Sequence, residues 1–569
     1  MTNQQIAAII NEIADIMEIR GEDYFRVRSY RRGAESVQNA PFPITADTPQ
    51  SEIQKLPGVG KSLAAKIAEI AATGTCKYRE ELLVDFPVGL LELLKVPGLG
   101  PKRVALLNRE LGIVDLAGLE AAARAGALEG LPGLGKKSQQ KILEGVQMLK
   151  RLAGRILLSE AREIADMILS ALPDTVQAQP AGSLRRGKET IGDIDILAIG
   201  EGSAQAMEAF CSMPEVDEVL LSGETKSSVL LKSGVQADLR VVPEESFGAA
   251  LQYFTGSKQH NVRLRARARE RGWTVNEYGL FDEKEKRLAG ADEAEIYEKL
   301  GLQWIPPELR EDAGEIEAAE RGELPDLLTL DDIRGDLHTH TDWSDGAQSI
   351  EEMALAARER GYEYIAITDH SRSLGVARGL DPERLMQQVE EIRRVNKAIR
   401  GITVLSGTEV DILADGSLDL PDDVLAELDI VIASVHSSLS QPQEVLTERI
   451  LNAVRNPHVD VIGHLTGRLI GRREPGAVDV ERVFDAAAQT QTAIELNAFP
   501  DRLDIADVNV RLAIAKGVPI AIGTDAHRAE HLELIKYGVT TARRGWAEAQ
   551  HIVNTWPKER LLKWLRRER

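Results

Sequence analysis

Asp193 and Asp195, one residue apart in IGDIDIL, are the clearest candidates for chemistry in the middle of the chain. On a strand both side chains leave one face while Ile194 and Ile196 point to the other. Carboxylates so placed repel each other unless cations lie between them, as Mg²⁺ does alongside substrate phosphates. A third carboxylate, Asp238 in the alternating run VQADLRVV, could come from a neighbouring strand. Upstream, GSLRRG sets Gly182 and Ser183 in a turn whose N–H groups and hydroxyl suit the terminal phosphates of a nucleotide. Arg186 and Arg155 would neutralise charge building up on those oxygens. Two Mg²⁺ or Mn²⁺ ions roughly 4 Å apart would then serve an in-line displacement, one activating the attacking hydroxyl and one holding the triphosphate. The pattern points to nucleotidyl transfer.

A second constellation follows in the last third. GDLHTHTDWSDG offers His338, His340 and Asp345; AITDH, SGTEV, IASVH, VIGHL and IGTDAH add His370, Glu409, His436, His464, Asp525 and His527. Six of the ten histidines stand at such strand ends, too many for chance packing. The C-terminal ends of parallel strands in a barrel converge on one mouth. Nine imidazoles and carboxylates gathered there would need two or three transition-metal ions, and Zn²⁺ or Mn²⁺ suits the mixture.

These residues need particular elements to position them. Beyond residue 333, the short apolar runs YIAIT, TVLSG, IVIAS, VDVIG, TAIEL and PIAIG each precede a helical stretch, which predicts a parallel sheet closed or nearly closed into a barrel. From about 155 to 245 the pattern is mixed, with strand-like IDILAIG, SSVLLK and ADLRVV. A helix-rich, arginine-dense segment follows, and 308–332 carries ten acids against two bases, which predicts a solvated linker, with a packed acidic helix an equal alternative for its first half. The first third reads as helices interrupted by LPGVGKSLA, VPGLGPKRV and LPGLGKKSQ. In each, glycines (Gly58 and Gly60, Gly98 and Gly100, Gly133 and Gly135) permit a tight turn into a helix whose free N–H groups can grip a phosphate without reading a base. The repeat resembles the helix-hairpin-helix motif.

The length of 569 residues predicts three or more domains. Cys76 and Cys211 offer neither a disulfide framework nor a metal site, and neither a signal pattern nor a membrane-length apolar run is present, so a cytoplasmic protein is expected. The net charge of −21 argues against a generally DNA-binding surface. It is uneven, however: residues 1–150 carry +1, 151–330 carry −12 and 331–569 carry −10. Nucleic-acid binding must therefore come from local patches. Arg263, Arg265, Arg267, Arg269 and Arg271 form one such run, and Arg468, Arg472 and Arg473 lie in a loop that reads better as merely solvated.

GSLRRG followed by GDIDIL resembles the nucleotidyltransferase signature of family X DNA polymerases, the polymerase-beta-like group. YFTGSKQHNVRLRARARERGWTVNEYGL (253–280) resembles that family's substrate-binding segment. The resemblance implies that Tyr253, Phe254, Gly256 and Asn261 line the nucleotide. Tyr253 would hinder a 2′-hydroxyl, Asn261 would meet the minor-groove edge of the base and Arg265 would lie on the template side. It also puts Lys66, in LPGVGKSLAAKIAEI, at the place of the family's lyase nucleophile; simple phosphate binding is the alternative role for that amine. The histidine-rich set resembles the PHP (polymerase and histidinol phosphatase) domain with all nine ligand positions filled, which implies metal-assisted phosphoester hydrolysis.

The architecture expected is multidomain. An all-α helix-hairpin-helix region, lyase-like over 1–85 and DNA-binding over 86–150, precedes an α+β nucleotidyltransferase palm (151–245). A small α+β subdomain for the nascent base pair (246–315), an acidic linker (316–332) and a distorted (β/α)7 PHP barrel (333–569) follow. The expected partners are gapped or primed DNA and dNTPs, with no membrane and a monomeric chain. A repair polymerase with a 3′→5′ exonuclease or 3′-end-processing activity fits best. A template-independent nucleotidyltransferase, a DNA-binding scaffold that delivers the nuclease, and a free small-molecule phosphatase are the other readings.

Overall fold

In the computed structural model, which describes residues 1–566 apart from Thr2, Asn39, Pro41, Ala153 and Glu201, the expected alternation is present. Along the strand Asp193–Gly200, Ile194, Ile196 and Ala198 enter one core, while Leu197 packs on the opposite face with Ala181, Ala250 and Leu251. Asp193 and Asp195 share the face of Leu197, as period-two geometry requires. The chain divides into two compact units, Met1–Ala153 with Gly471–Arg473, and Gly154–Ile470 with Glu474–Arg569.

The first unit is helical. Its helices, from Asn3–Ile19 to Lys136–Leu152, enclose one aliphatic core running from Ile6 to Val146. Gly58, Gly98 and Gly133 all have positive φ, at 74°, 83° and 76°, a region in which side chains with a Cβ are strained.

In the second unit, the palm sheet runs in the order Val176–Pro180, Asp193–Gly200, Gln236–Val241, Lys226–Leu231, Val216–Ser222. Asp193–Gly200 and Gln236–Val241 are parallel neighbours; the other pairs are antiparallel. A three-stranded sheet (Thr274–Asn276, Gly279–Phe281, Arg287–Ala289) and the helices Lys258–Glu270 and Glu293–Lys299 share a core around Leu264, Leu280 and Tyr297.

The acidic stretch 316–332 is not the solvated linker its charge predicts. It opens inside the helix Glu315–Arg321, whose Ile316 and Ala319, with Leu327 beyond, join that same core. Its acids meet the arginine run: Arg263 pairs with Glu317, and with Asp312 just upstream at 3.1 Å, and Arg267 pairs with Glu320 at 2.7 Å. Part of the basic patch assigned to DNA is thus spent inside the chain.

From residue 335 onward, seven parallel strands follow in sequence order: Gly335–Asp336, Tyr364–Ile367, Thr403–Asp411, Ile430–Ser434, Val461–Ile462, Ala493–Asn497 and Ile520–Gly523. Alternate residues serve two cores. Ile365, Ile367 and Val431 pack with the helices, whereas Tyr364, Ala366 and Ile432 pack with Val553, Trp556 and Leu561 of the C-terminal segment. The Asn554 side chain stitches the first strand to the last. Its Nδ2 donates to the carbonyls of Gly335 at 2.9 Å and Ile522 at 2.8 Å, and its Oδ1 accepts from the Ile522 N–H at 2.7 Å. The barrel is nearly closed.

Candidate active sites

Asp195 and Asp238 are register partners on adjacent parallel palm strands, with Asp193 one pleat earlier, opposite Gln236. The three carboxylates therefore stand together at one end of the sheet. Burial, and then repulsion from Asp193 and Asp238, pushes the Asp195 carboxyl up to about 6. Asp238 behaves oppositely. Burial raises it, but bonds from Lys226, Gln236 and Ser228 outweigh burial and hold it below the usual carboxylate range. Lys226 Nζ lies 2.9 Å from Asp238 Oδ2, and Gln236 Nε2 donates to Oδ1 at 2.9 Å. The Asp238 carboxylate is thus turned onto an amine, and groups of three or more metal-competent atoms within 4.8 Å of one another occur, among the described residues, only in the barrel. The sequence offered no sign of Lys226, because a lysine on the next strand has no fixed spacing from its partner.

The turn beside these carboxylates requires glycine. Gly182 has φ 59°, and a Cβ there would come 2.6 Å from Asp195 Oδ2. Ser183 follows within the short helix Gly182–Arg185, which is anchored by the Ala181 N–H donating to the Asp195 carbonyl at 2.8 Å. Arg186 is not free to face a phosphate in this state. Its Nε pairs with Glu311 Oε1 at 3.1 Å and its Nη1 donates to the Thr255 carbonyl, beside Gly256. Arg155 is exposed and bonds to Thr190, through Nε to the hydroxyl at 3.0 Å and Nη2 to the carbonyl at 2.5 Å. Tyr253 and Phe254 meet edge to face, with the Arg240 guanidinium 4.4 Å from the Phe254 ring centre. Asn261 is buried; its amide takes Gln252 Nε2 at 2.7 Å and donates to the Tyr253 carbonyl at 2.7 Å. Arg265 lies half-buried on the helix Lys258–Glu270.

All nine strand-end groups of the barrel converge. Glu409 is their hub: His370 Nδ1 lies 2.9 Å and His338 Nε2 3.5 Å from its Oε2, while His464 Nε2 lies 2.9 Å and His436 Nε2 3.3 Å from its Oε1. His340 Nε2 is 3.1 Å from Asp525 Oδ1, and His527 Nε2 is 3.4 Å from Asp345 Oδ1. Burial and the flanking imidazoles of His527 and His370 drive His340 down to about 3. Burial also works against charge on His436, but Glu409 and Asp411 outweigh it and push that imidazole up to about 10. The set fits divalent ions. His340 Nδ1 and His464 Nδ1 are buried without a hydrogen-bond partner, a costly arrangement for atoms that have no other role.

Sequence reasoning missed the carboxylates that orient these rings. Glu495 Oε1 lies 2.6 Å from His338 Nδ1, and Asp411 Oδ1 lies 3.2 Å from His436 Nδ1. Partners of this kind fix the tautomer of a ligating imidazole. The acid in TAIEL was the available signal. Arg468, read as a loop cation, instead pairs with Glu189 of the palm at 2.8 Å.

In the helical unit, the helices Lys61–Thr73 and Pro101–Leu111 start directly after Gly60 and Gly100, and a Cβ on either glycine, or on Gly135, would meet nothing within 4 Å. Lys66 is half-buried, with Nζ 2.9 Å from Ser62 Oγ and 5.0 Å from the Tyr78 ring centre.

Family models match four stretches of the chain: a helix-hairpin-helix domain over 1–76, a SAM-like helix-hairpin-helix tandem over 90–148, the DNA polymerase beta thumb over 250–311 and the PHP domain over 336–499. Probable phosphatases of Thermoanaerobacter sp. (strain X514) and Acetivibrio thermocellus are 36% and 34% identical over 34% of this chain, and each is covered over 78% of its own length. The DNA polymerase/3′-5′ exonuclease PolX of Bacillus subtilis (strain 168) is 41% identical over 97% of both chains. Carboxylates on paired palm strands and an imidazole-rich barrel mouth thus sit in one polypeptide that matches such a protein over 97% of its length, and the chain belongs to the PolX family of DNA polymerase/3′-5′ exonucleases.

Proposed function

We propose that this protein fills short gaps in DNA from dNTPs at the palm carboxylates and trims DNA 3′ ends at the barrel mouth. The observation that carries the reading is the coexistence, in one compact unit, of the Asp193–Asp195–Asp238 constellation and a second, separate donor cluster around Glu409. Divalent cations, Mg²⁺ or Mn²⁺ at the palm and Mn²⁺ or Zn²⁺ at the barrel, would supply charge neutralisation and an activated oxygen nucleophile.

The protein's own residues do the rest. Asp193, Asp195 and Asp238 would hold the palm ions, and Gly182 and Ser183 would present N–H groups and a hydroxyl to the triphosphate. Arg186 and Arg155 would face its charge, and Tyr253, Phe254, Gly256 and Asn261 would line the nucleotide, with Arg265 toward the template. His338, His340, Asp345, His370, Glu409, His436, His464, Asp525 and His527 would hold two or three ions at the barrel mouth. Gly58, Gly60, Gly98, Gly100, Gly133 and Gly135 would let DNA phosphates approach helix N-termini. Lys66 would take either an abasic-site aldehyde or a DNA phosphate; borohydride trapping on abasic DNA separates the two, because only the first gives a covalent adduct that K66A abolishes. We also assign the work along the chain to 1–85, 86–150, 151–245, 246–315 and 333–569, and expect a monomer. No helix among the described residues is long and apolar enough to cross a membrane.

Metal analysis combined with primer extension and degradation on a short gapped duplex tests the reading. D193A or D195A should abolish nucleotide addition and leave degradation intact; H338A combined with H340A should do the reverse. Loss of both activities in either variant, with the fold retained, overturns the two-site reading.

A further inference from the structure

The barrel helix Ile535–Arg544 lies against the turn that follows the expected triphosphate-binding loop. A Cβ on Gly187, which has φ 64°, would stand 2.3 Å from Thr540 Cγ2, so palm backbone and barrel helix touch with no space for a side chain between them. Arg544, four residues after Thr540, makes the polar part of this contact. Its side chain is 6% exposed and faces Asp507 with Nε and Nη2, at 2.9 and 2.7 Å from Oδ2. The remaining nitrogen, Nη1, donates to the Arg186 carbonyl at 2.7 Å and lies 3.2 Å from Glu311 Oε1. That same carboxylate oxygen takes Arg186 Nε at 3.1 Å, and Lys188 Nζ lies 3.8 Å away.

One oxygen of Glu311 is therefore shared between a palm arginine and a barrel arginine. Burial raises the Glu311 carboxyl, but Arg186, Arg544 and Lys188 outweigh burial and hold it below its ordinary value, so it is ionised at neutral pH. A triphosphate approaching Arg186 must compete with this carboxylate for the guanidinium. The more of Glu311's charge is satisfied by Arg544, the less it costs Arg186 to turn toward phosphate. The contact is firmly seated: Arg543 pairs with Glu308 at 2.7 Å, and Leu503 and Tyr537 of the barrel belong to the palm core.

We propose that Arg544, in the barrel, is a positioning residue for nucleotide addition, which sets dNTP affinity by sharing Glu311 with Arg186 and by holding the Arg186 backbone. This rests on reading Arg186 as a triphosphate partner. It makes the barrel helix a mechanical neighbour of the nucleotide site, and binding linkage then requires that a nucleotide held by Arg186 also alters the grip on that helix.

The test uses the full chain, with one-nucleotide gap filling read as separate KM and kcat values and degradation of single-stranded DNA as the control for an intact barrel. R544A should raise the KM for dNTP about tenfold, with kcat within about twofold, while degradation is unchanged. Adding E311Q to R544A should restore the KM to within about threefold of the native value, because the competing charge is gone. A simple packing defect would not be rescued in this way. R186A fixes the underlying reading: if it leaves the dNTP KM unchanged, Arg186 is no triphosphate partner and the proposal falls with it. If R186A raises the KM and R544A does not, or if E311Q fails to rescue R544A, the proposal alone is overturned. Should R544A not fold, E311Q by itself decides the matter: it should lower the dNTP KM, and an unchanged or higher value refutes the sharing.

Discussion

Lys226 Nζ stands 2.9 Å from Asp238 Oδ2, on the strand beside the one that pairs Asp238 with Asp195. An ammonium so close favours the Asp238 carboxylate but repels any divalent ion approaching the same oxygen. K226M removes that repulsion while keeping most of the stem's packing. The Mg²⁺ concentration that half-saturates nucleotide addition should fall about threefold, a modest effect because Lys226 is partly exposed and screened. Titrating gap-filling rate against Mg²⁺ checks this. A higher half-saturation in K226M would mean that the amine orients Asp238 and does not compete for it.

Glu495 leads to a prediction about the barrel. Its Oε1 lies 2.6 Å from His338 Nδ1 and its Oε2 takes the His464 N–H at 2.6 Å. Replacing it by glutamine keeps the volume and loses the charge that fixes the His338 ring. E495Q should weaken divalent-metal binding or 3′→5′ degradation by roughly ten- to a hundredfold, with nucleotide addition retained. Calorimetric titration of the metal together with a degradation assay reads both. Native metal affinity in E495Q would show that the carboxylate is only a packing partner.

Each hairpin carries two glycines with separable roles. Gly98 has φ 83° and is conformationally required, whereas Gly100 sits in extended backbone at φ −93°, with open space where a Cβ would go. G98A should therefore lower stability by about 1 kcal/mol, seen as a reduced Tm. G100A should leave the Tm nearly unchanged but weaken DNA binding, because the added methyl stands where a phosphate approaches the helix N-terminus. Thermal melts and salt-dependent binding to gapped duplex separate the two. Equal loss of stability in both variants would assign Gly100 to the fold.

The sequence made some of this legible and hid the rest for identifiable reasons. The palm carboxylates could be read because strand geometry has a period of two, so Asp193 and Asp195 had to share a face. Most of the barrel groups could be read because they close short apolar runs, and parallel strands bring such ends together. Glu495 is the one acid in TAIEL, but nothing in its spacing ties it to His338, 157 residues earlier. The acidic 316–332 stretch misled because charge density alone does not show that Ile316 and Ala319 reach a core, or that Glu317 and Glu320 have arginine partners some fifty positions earlier. The same limit applies to Arg186 and Glu311, which are 125 residues apart and joined only by the tertiary fold.

Glu293 ties the small subdomain to the palm and predicts how that junction responds to acid. Arg185 reaches it with two nitrogens, at 2.8 and 2.9 Å, the fully buried Arg310 at 2.6 Å, and the Trp304 indole N–H donates to it at 3.0 Å. Burial raises the Glu293 carboxyl, but Arg310 and Arg185 outweigh it and hold the folded value at about 2, against an ordinary 4.5. A carboxyl lowered in this way contributes stability that is complete above 4.5 and is lost as the pH falls through that value toward 2. E293Q should therefore flatten the acid dependence of unfolding in that window, and at neutral pH it should cost about 3 kcal/mol because Arg310 keeps a buried charge with one partner fewer. Urea unfolding followed by tryptophan fluorescence at several pH values, native against E293Q, measures both effects. Parallel acid profiles for the two proteins would show that the Glu293 carboxyl titrates alike in folded and unfolded chains and that Arg185 and Arg310 give it no net hold.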